Sequence, residues 1–206
     1  MNVPRKPELI ELLIADDVDA WRAIGFTIDE HDNLDLGGVR LRFVPGNEGI
    51  VGWSFDITAQ NGEIDGLNTP VPSIRLPPPF YTHTNGATGL DQVVLFSGDF
   101  DRTAKALDEA GLPLKRTQET IYGHTGFSRI GPSILELVAR PAEEGEESRF
   151  WGIAVVVISL EPLAQSLGNR LGPVRPAVQQ GREIAILDHE AAGLKTAIAF
   201  MSPEPP

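Results

Sequence analysis

Glu136 is the residue best placed for chemistry. It lies in SILELVAR, a run whose period of two puts Ile134, Glu136 and Val138 on one face of a strand. A carboxylate among apolar neighbours must be ion-paired, hydrated or pushed toward its neutral form. Pushed up, it can act as a general base; paired with Arg129, Arg149 or Arg182 it is structural. Gln92, in QVVLFS, shares a strand face with Val94 and Phe96 and is a natural hydrogen-bond partner for such a carboxylate. The chain has no cysteine, which removes thiolate nucleophiles, zinc–thiolate sites and disulfides. His31, His83, His124 and His189 fall in turn, linker or hairpin positions where solvation is expected. No phosphate-binding glycine loop, nucleophile elbow or helical histidine pair occurs.

The elements that must position these residues repeat along the chain. QVVLFSGDFDRTAKALDEAGLP, from Gln92, and GIAVVVISLEPLAQSLGNRLGP, from Gly152, register without a gap, Asp99 on Ser159 and Pro113 on Pro173. Each reads as a strand, an N-cap and a helix, the first helix having Phe100, Ala104 and Leu107 on one stripe and a proline after its end. LKRTQETI, TGFSRIG and SILELVAR follow the first helix, and PVRPAVQ, GREIAILD and KTAIAFMS the second; each unit is β-α-β-β-β. A weaker third copy opens the chain, its helix shorter by about one turn, with GIVGWSFDI as one further strand. The expected layout is a degenerate βαβββ-like module over residues 1–68, a Pro-rich linker over 69–86, and paired modules over 87–203, divided into 87–142 and 149–203. The fold class is α+β: curved, mixed, mainly antiparallel sheets with helices on the outer faces. An odd module leaves an apolar face to cover, so it should pack on the paired modules or on a second chain, a homodimer being favoured.

GATGLDQVVLFSGDFDRTAKALDEAGL, GFSRIGPSILELVARP, RFWGIAVVVISLEPLAQSLGNRLGP and TAIAFMSP resemble the glyoxalase-like branch of the vicinal oxygen chelate superfamily, which includes glyoxalase I, extradiol dioxygenases, epimerases and bleomycin-binding resistance proteins. The resemblance implies a cup-shaped sheet with a metal held by one residue from the first and one from the last strand of each module. Those positions fall on Gln92 and Glu136 in one module and on Gly152 and Ile198 in the other, with Ile10 and Arg42 as N-terminal counterparts. Half a site remains, too little for zinc or iron; no metal or other cofactor is expected beyond a weakly held divalent ion such as magnesium. In that cup Gln92, Val94 and Glu136 make a polar wall. Gly152, with Ala154, Val156, Ile158, Thr196, Ile198 and Phe200, makes an apolar one, Gly152 opening space where a side chain is missing. Trp151 beside Phe150 offers an aromatic rim, and His124 with Tyr122 sits in a hairpin near the mouth.

The formal charge of −12 opposes nucleic acid and fits a cationic organic ligand weakly. The longest apolar run, Gly152 to Leu160, is too short to span a bilayer, and no signal-peptide pattern opens the sequence, so a cytoplasmic protein without membrane contact is expected. The leading functional expectation is a metal-free binder of an apolar or cationic small organic molecule. The alternative is a lyase or isomerase with Glu136 as tentative catalytic base, and a third reading is a pseudoenzyme whose concave face serves association.

Overall fold

The computed structural model describes residues 5–57, 62–72, 82–120, 123–140 and 145–205. The N-terminal part runs β1 (Leu9–Ala15), α1 (Val18–Ala23), β2 (Asn33–Leu36), β3 (Val39–Phe43) and β4 (Gly49–Phe55), then a hairpin of β5 (Gly62–Ile64) and β6 (Leu67–Thr69). Next come β7 (Ala87–Ser97), α2 (Phe100–Glu109), β8 (Arg116–Thr120), β9 (Gly123–Ile130) and β10 (Ser133–Ala139). The last module is β11 (Arg149–Val157), α3 (Leu160–Leu167), β12 (Arg175–Pro176), β13 (Glu183–Ile186) and β14 (Ala197–Met201). Asp99 caps α2 by accepting the Arg102 amide, and Asp17 caps α1 by accepting that of Asp19. Ser159 stands at the same place before α3 without a side-chain cap bond; burial of Leu160, Leu163 and Leu167 holds that helix instead.

The two later modules form one eight-stranded sheet in the order β12-β13-β14-β11-β7-β10-β9-β8. The first strand of each module lies parallel to its own last strand, β7 to β10 and β11 to β14, and the modules join through the antiparallel pair β7–β11. In that pair the register slips at three places, at Trp151 on β11 and at Asp91 and Thr88 on β7. The bulges at Asp91 and Trp151 occupy matching positions of the repeat, so the modules share a local kink as well as a topology.

The N-terminal copy differs from expectation at the strand that follows β3. β3 is parallel to β1 and so takes the closing role, while β4 is antiparallel to β1. That is the relation β11 bears to β7, so GIVGWSF occupies the place of a following module's first strand rather than adding to the first copy. Helix α1 has 6 residues against 10 in α2, the one-turn deficit that the repeat implied.

The four-stranded sheet lies on the outer face of the eight-stranded one. Val93 and Leu95 of β7, Ile153 and Val155 of β11, and Leu12, Leu41 and Trp53 of the N-terminal sheet belong to one buried cluster. Phe26 stacks on Phe200 at 6.3 Å and Trp53 meets Phe150 edge-on at 5.3 Å. The apolar face of the odd module is thus covered within the chain. Of the stretch read as linker, 73–81 lies outside the described residues. His83, expected to be solvated, is instead buried: its Nδ1 accepts the Thr27 amide at 3.0 Å and its Nε2 lies 2.7 Å from the Asp35 carbonyl.

The tip of the β5–β6 hairpin supplies a polar lock between the sheets. Asp65, in the left-handed region at φ 50, accepts hydrogen bonds from Thr103 and Ser148 and a two-pronged contact from Arg102, whose Nε is 2.8 Å from Oδ1. These donors hold its carboxyl below the usual aspartate range against the opposing effect of burial. A depressed folded-state pKa contributes stability at neutral pH that disappears as pH falls through it. Asp65→Asn should therefore cost about 1–3 kcal/mol at pH 7. In denaturant titrations from pH 7 down to 2 the gap to wild type should close at the acid end; a gap independent of pH would rule the lock out.

Candidate functional site

The concave face of the eight-stranded sheet is the cup, and strand parity decides what lines it. On β7 the outward residues Val93 and Leu95 enter the core, which turns Gln92, Val94 and Phe96 inward; on β10 the same parity turns Ile134, Glu136 and Val138 inward. Two connected lobes share Gln92, Glu136 and Ile184. The larger, about 630 Å³, reaches from Arg116 and Gln118 on β8 to Arg175 on β12 and Gln179 in the loop after it, so both edges of the curled sheet face one space. The smaller, about 220 Å³, runs past Phe96, Arg140 and Trp151. Trp151 stacks on Phe96 at 5.4 Å, and the guanidinium of Arg140 lies 4.1 Å from the centre of the Phe96 ring.

Glu136 is half-buried on the wall between the lobes, and among the described residues its carboxylate has no hydrogen-bond or ion-pair partner. The three arginines that the sequence offered are engaged elsewhere. Arg129 reaches the Pro132 carbonyl at 3.4 Å, Arg149 lies over the Phe96 ring at 5.0 Å, and Arg182 pairs with Asp91 at 2.7 Å. Burial alone acts on the Glu136 carboxyl and pushes it above the ordinary glutamate range.

The opposite wall differs from the sequence expectation in three ways. Register pairs Glu136 with Val94, and the matching pair in the second module is Ala199 with Ala154, so the counterpart of Glu136 is Ala199, not Ile198. Ile198 and Phe200 point the other way, into the core between the sheets, because β14 is shifted by one residue from the assumed parity. Gly152 does not open space either: a Cβ there would stand 2.3 Å from the Ala197 carbonyl oxygen, so the missing side chain is what lets β14 approach at the bulge. Ala154, Ala199 and Met201 pack with Ala177 and Ile184, which closes part of that wall on itself.

His124 also lies off the cup. On β9, Thr125 and Phe127 face the cavity, whereas His124 turns to the helix side, edge-on to Phe100 at 5.2 Å and 3.3 Å from Glu119. Tyr122 lies outside the described residues. Of the residues that the sequence placed at the cup, Gln92, Val94, Glu136 and Trp151 line the lobes, as do Phe96, Ile134, Val138 and Ala154.

The sequence reading passed over Arg116, Arg175 and Arg140, and over the Asp91–Arg182 pair. Alternation in LKRTQETI carries the first of these: Arg116 and Gln118 share a face and pair with Phe127 and Thr125. Asp91 follows from the bulge, which leaves no mark in residue type. Arg182 is 5% exposed and also donates to the Ser202 carbonyl, so it pins the β12–β13 loop to β7 beside Gln92. Asp91 Oδ2 and Arg182 Nη2 are buried without a hydrogen-bond partner among the described residues.

The donors do not fit the metal that the resemblance implies. One carboxylate and one amide stand on the first wall, and Gly152 and Ala199 on the second offer nothing. No cluster of three or more His, Asp or Glu that could hold a metal occurs among the described residues. No described helix is long and apolar enough to cross a membrane.

No protein-family model matches the chain, and no curated protein matches it in sequence. Solved structures do match in shape. A variant of 4-hydroxymandelate synthase from Streptomyces coelicolor superposes over 99% of this chain and 94% of that chain, with a TM-score of 0.63 at 15% identity. Methylmalonyl-CoA epimerase from Mycobacterium tuberculosis aligns with 59% of this chain and 92% of that one, at a TM-score of 0.48 and 19% identity. The S. coelicolor epimerase in complex with 2-nitronate-propionyl-CoA aligns with 58% and 99%, at 0.47 and 14%. Repeated βαβββ units, parallel closure within each module and antiparallel joining between modules give this chain the fold of the glyoxalase-like, vicinal oxygen chelate superfamily.

Proposed function

We propose that the chain binds a small organic molecule in the cup of the paired modules, with Glu136 as the group that meets the ligand and without a tightly held metal. The observation that carries this reading is a carboxylate without a hydrogen-bond or ion-pair partner among the described residues, on the wall of a cavity of about 630 Å³. An unpaired, half-buried carboxylate opposes folding at neutral pH. It is a liability unless a ligand group answers it, and Gln92 on the same wall supplies a neutral donor and acceptor to orient that ligand.

The raised carboxyl favours a second reading, in which Glu136 takes a proton from the bound molecule as general base in an isomerase- or lyase-type step. Glu136→Gln separates the two. Under the binding reading it changes affinity and no turnover exists to lose; under the second it abolishes turnover while the ligand still binds.

A thermal-shift screen of organic compounds with and without magnesium, manganese, nickel and zinc tests the main reading. Stabilisation by organic compounds independent of the ions is expected; large shifts from a metal alone, with none from any organic compound, would sink it. The substitution has a second expected consequence. A carboxyl whose folded pKa is raised destabilises the fold above that pKa and ceases to do so below its unfolded value. Glu136→Gln should thus raise the melting temperature at pH 7.5, with the difference shrinking toward pH 4. A lower melting temperature at pH 7.5 would mean that Glu136 is a structural partner after all.

A further inference from the structure

We infer that the ligand of the cup is an organic anion whose acidic group is held by Arg116 and Arg175. The inference rests on the reading of the cup as a ligand site and adds the chemical class of its occupant.

The observation is a local inversion of charge. The chain carries 29 Asp and Glu against 17 Lys and Arg, yet among the described residues the two lobes are lined by three arginines, Arg116, Arg175 and Arg140, and by a single carboxylate, Glu136. The overall charge pointed to a cationic ligand; the lining points the other way. Net charge acts from a distance and is screened over roughly 8–10 Å at physiological salt, whereas a ligand inside the cavity meets the arginines directly.

Arg116 and Arg175 stand on the two edge strands of the sheet, and its curl brings both to the same cavity. Each is exposed, and neither makes an ion pair or side-chain hydrogen bond within the described residues. A structural arginine on an acidic protein ordinarily finds a carboxylate of its own chain, as Arg182 finds Asp91 and Arg102 finds Asp65. Two unengaged guanidinium forks on one cavity match the paired oxygens of a carboxylate or phosphate. Gln118 and Gln179, on the same cavity, supply neutral donors for the remaining lone pairs. Trp151, 39% exposed on the Phe96 ring, offers a flat surface to an apolar body.

Calorimetric titration of the full chain with phenylpropanoate, phenylpropanamide, phenylpropylamine and phenyl phosphate tests the charge while holding the apolar body nearly constant. The anions are expected to bind more tightly than the amide, and their affinity should fall with added salt. The stronger of the two anions tells a carboxylate ligand from a phosphate. Arg116→Gln and Arg175→Gln should each weaken anion binding by about tenfold or more while leaving amide binding unchanged, which also controls for folding. Amine binding as tight as that of the anions, or anion binding unchanged in the double variant, would overturn the inference. If amide and amine bind and the anions do not, the cup remains a ligand site and the anion assignment fails. If no member of the series binds, both readings fail.

Discussion

The antiparallel pairing of β7 with β11 is the contact on which the other features depend. It joins two modules that each close on themselves through a parallel pair, and it sets which residues of both face the cup. Its outward side carries Val93, Leu95, Ile153 and Val155, the apolar surface on which the N-terminal sheet is buried. Its inward side carries Gln92, Val94 and Phe96, with Trp151 added by the bulge. One strand pair therefore serves as the floor of the cup and as the centre of the core. The bulges at Asp91 and Trp151 add kink and twist to the pair, and a cup, unlike a flat sheet, needs both.

The walls raised on that floor are unequal. The first module contributes an amide and a carboxylate with no partner among the described residues. The second contributes Ala154, Ala199 and Met201, which pack among themselves, and a glycine whose space β14 fills. Relief for Glu136 from a buried arginine would have to come from Arg182, which Asp91 already holds. Breaking a buried pair of that kind costs about 3–5 kcal/mol. The carboxylate is thus left to the cavity by the packing around it. Arg116 and Arg175, which make no ion pair or side-chain hydrogen bond among the described residues, lie on the sheet edges.

Much of this was legible in the sequence because repetition and alternation are local. The gapless register of the copies carries the strand–helix order, and alternation within QVVLFS and SILELVAR carries the inward parity of β7 and β10, hence Gln92, Val94 and Glu136. What was not legible depends on contacts distant in the chain. β14 is offset by one residue from the assumed parity, and a one-residue offset exchanges the faces of a whole strand, so Ile198 and Phe200 enter the core in place of Ala199 and Met201. His83 looked like a linker residue because nothing nearby reveals its bonds to Thr27 and Asp35. Arg116 and Arg175, far apart in sequence, meet one cavity only because the sheet curls.

The central claim is that Glu136 stands unpaired on the cavity wall, its carboxyl raised by burial alone. Carbon-detected NMR titration of the glutamate side-chain carboxyls, with Glu136 assigned through Glu136→Gln, tests it without knowledge of the ligand. The account predicts that Glu136 titrates above the ordinary glutamate range of about 4.3, its signal being absent from the variant. Titration of Glu136 at or below that range would mean that a cationic or hydrogen-bonding partner holds it ionised, and would contradict the account.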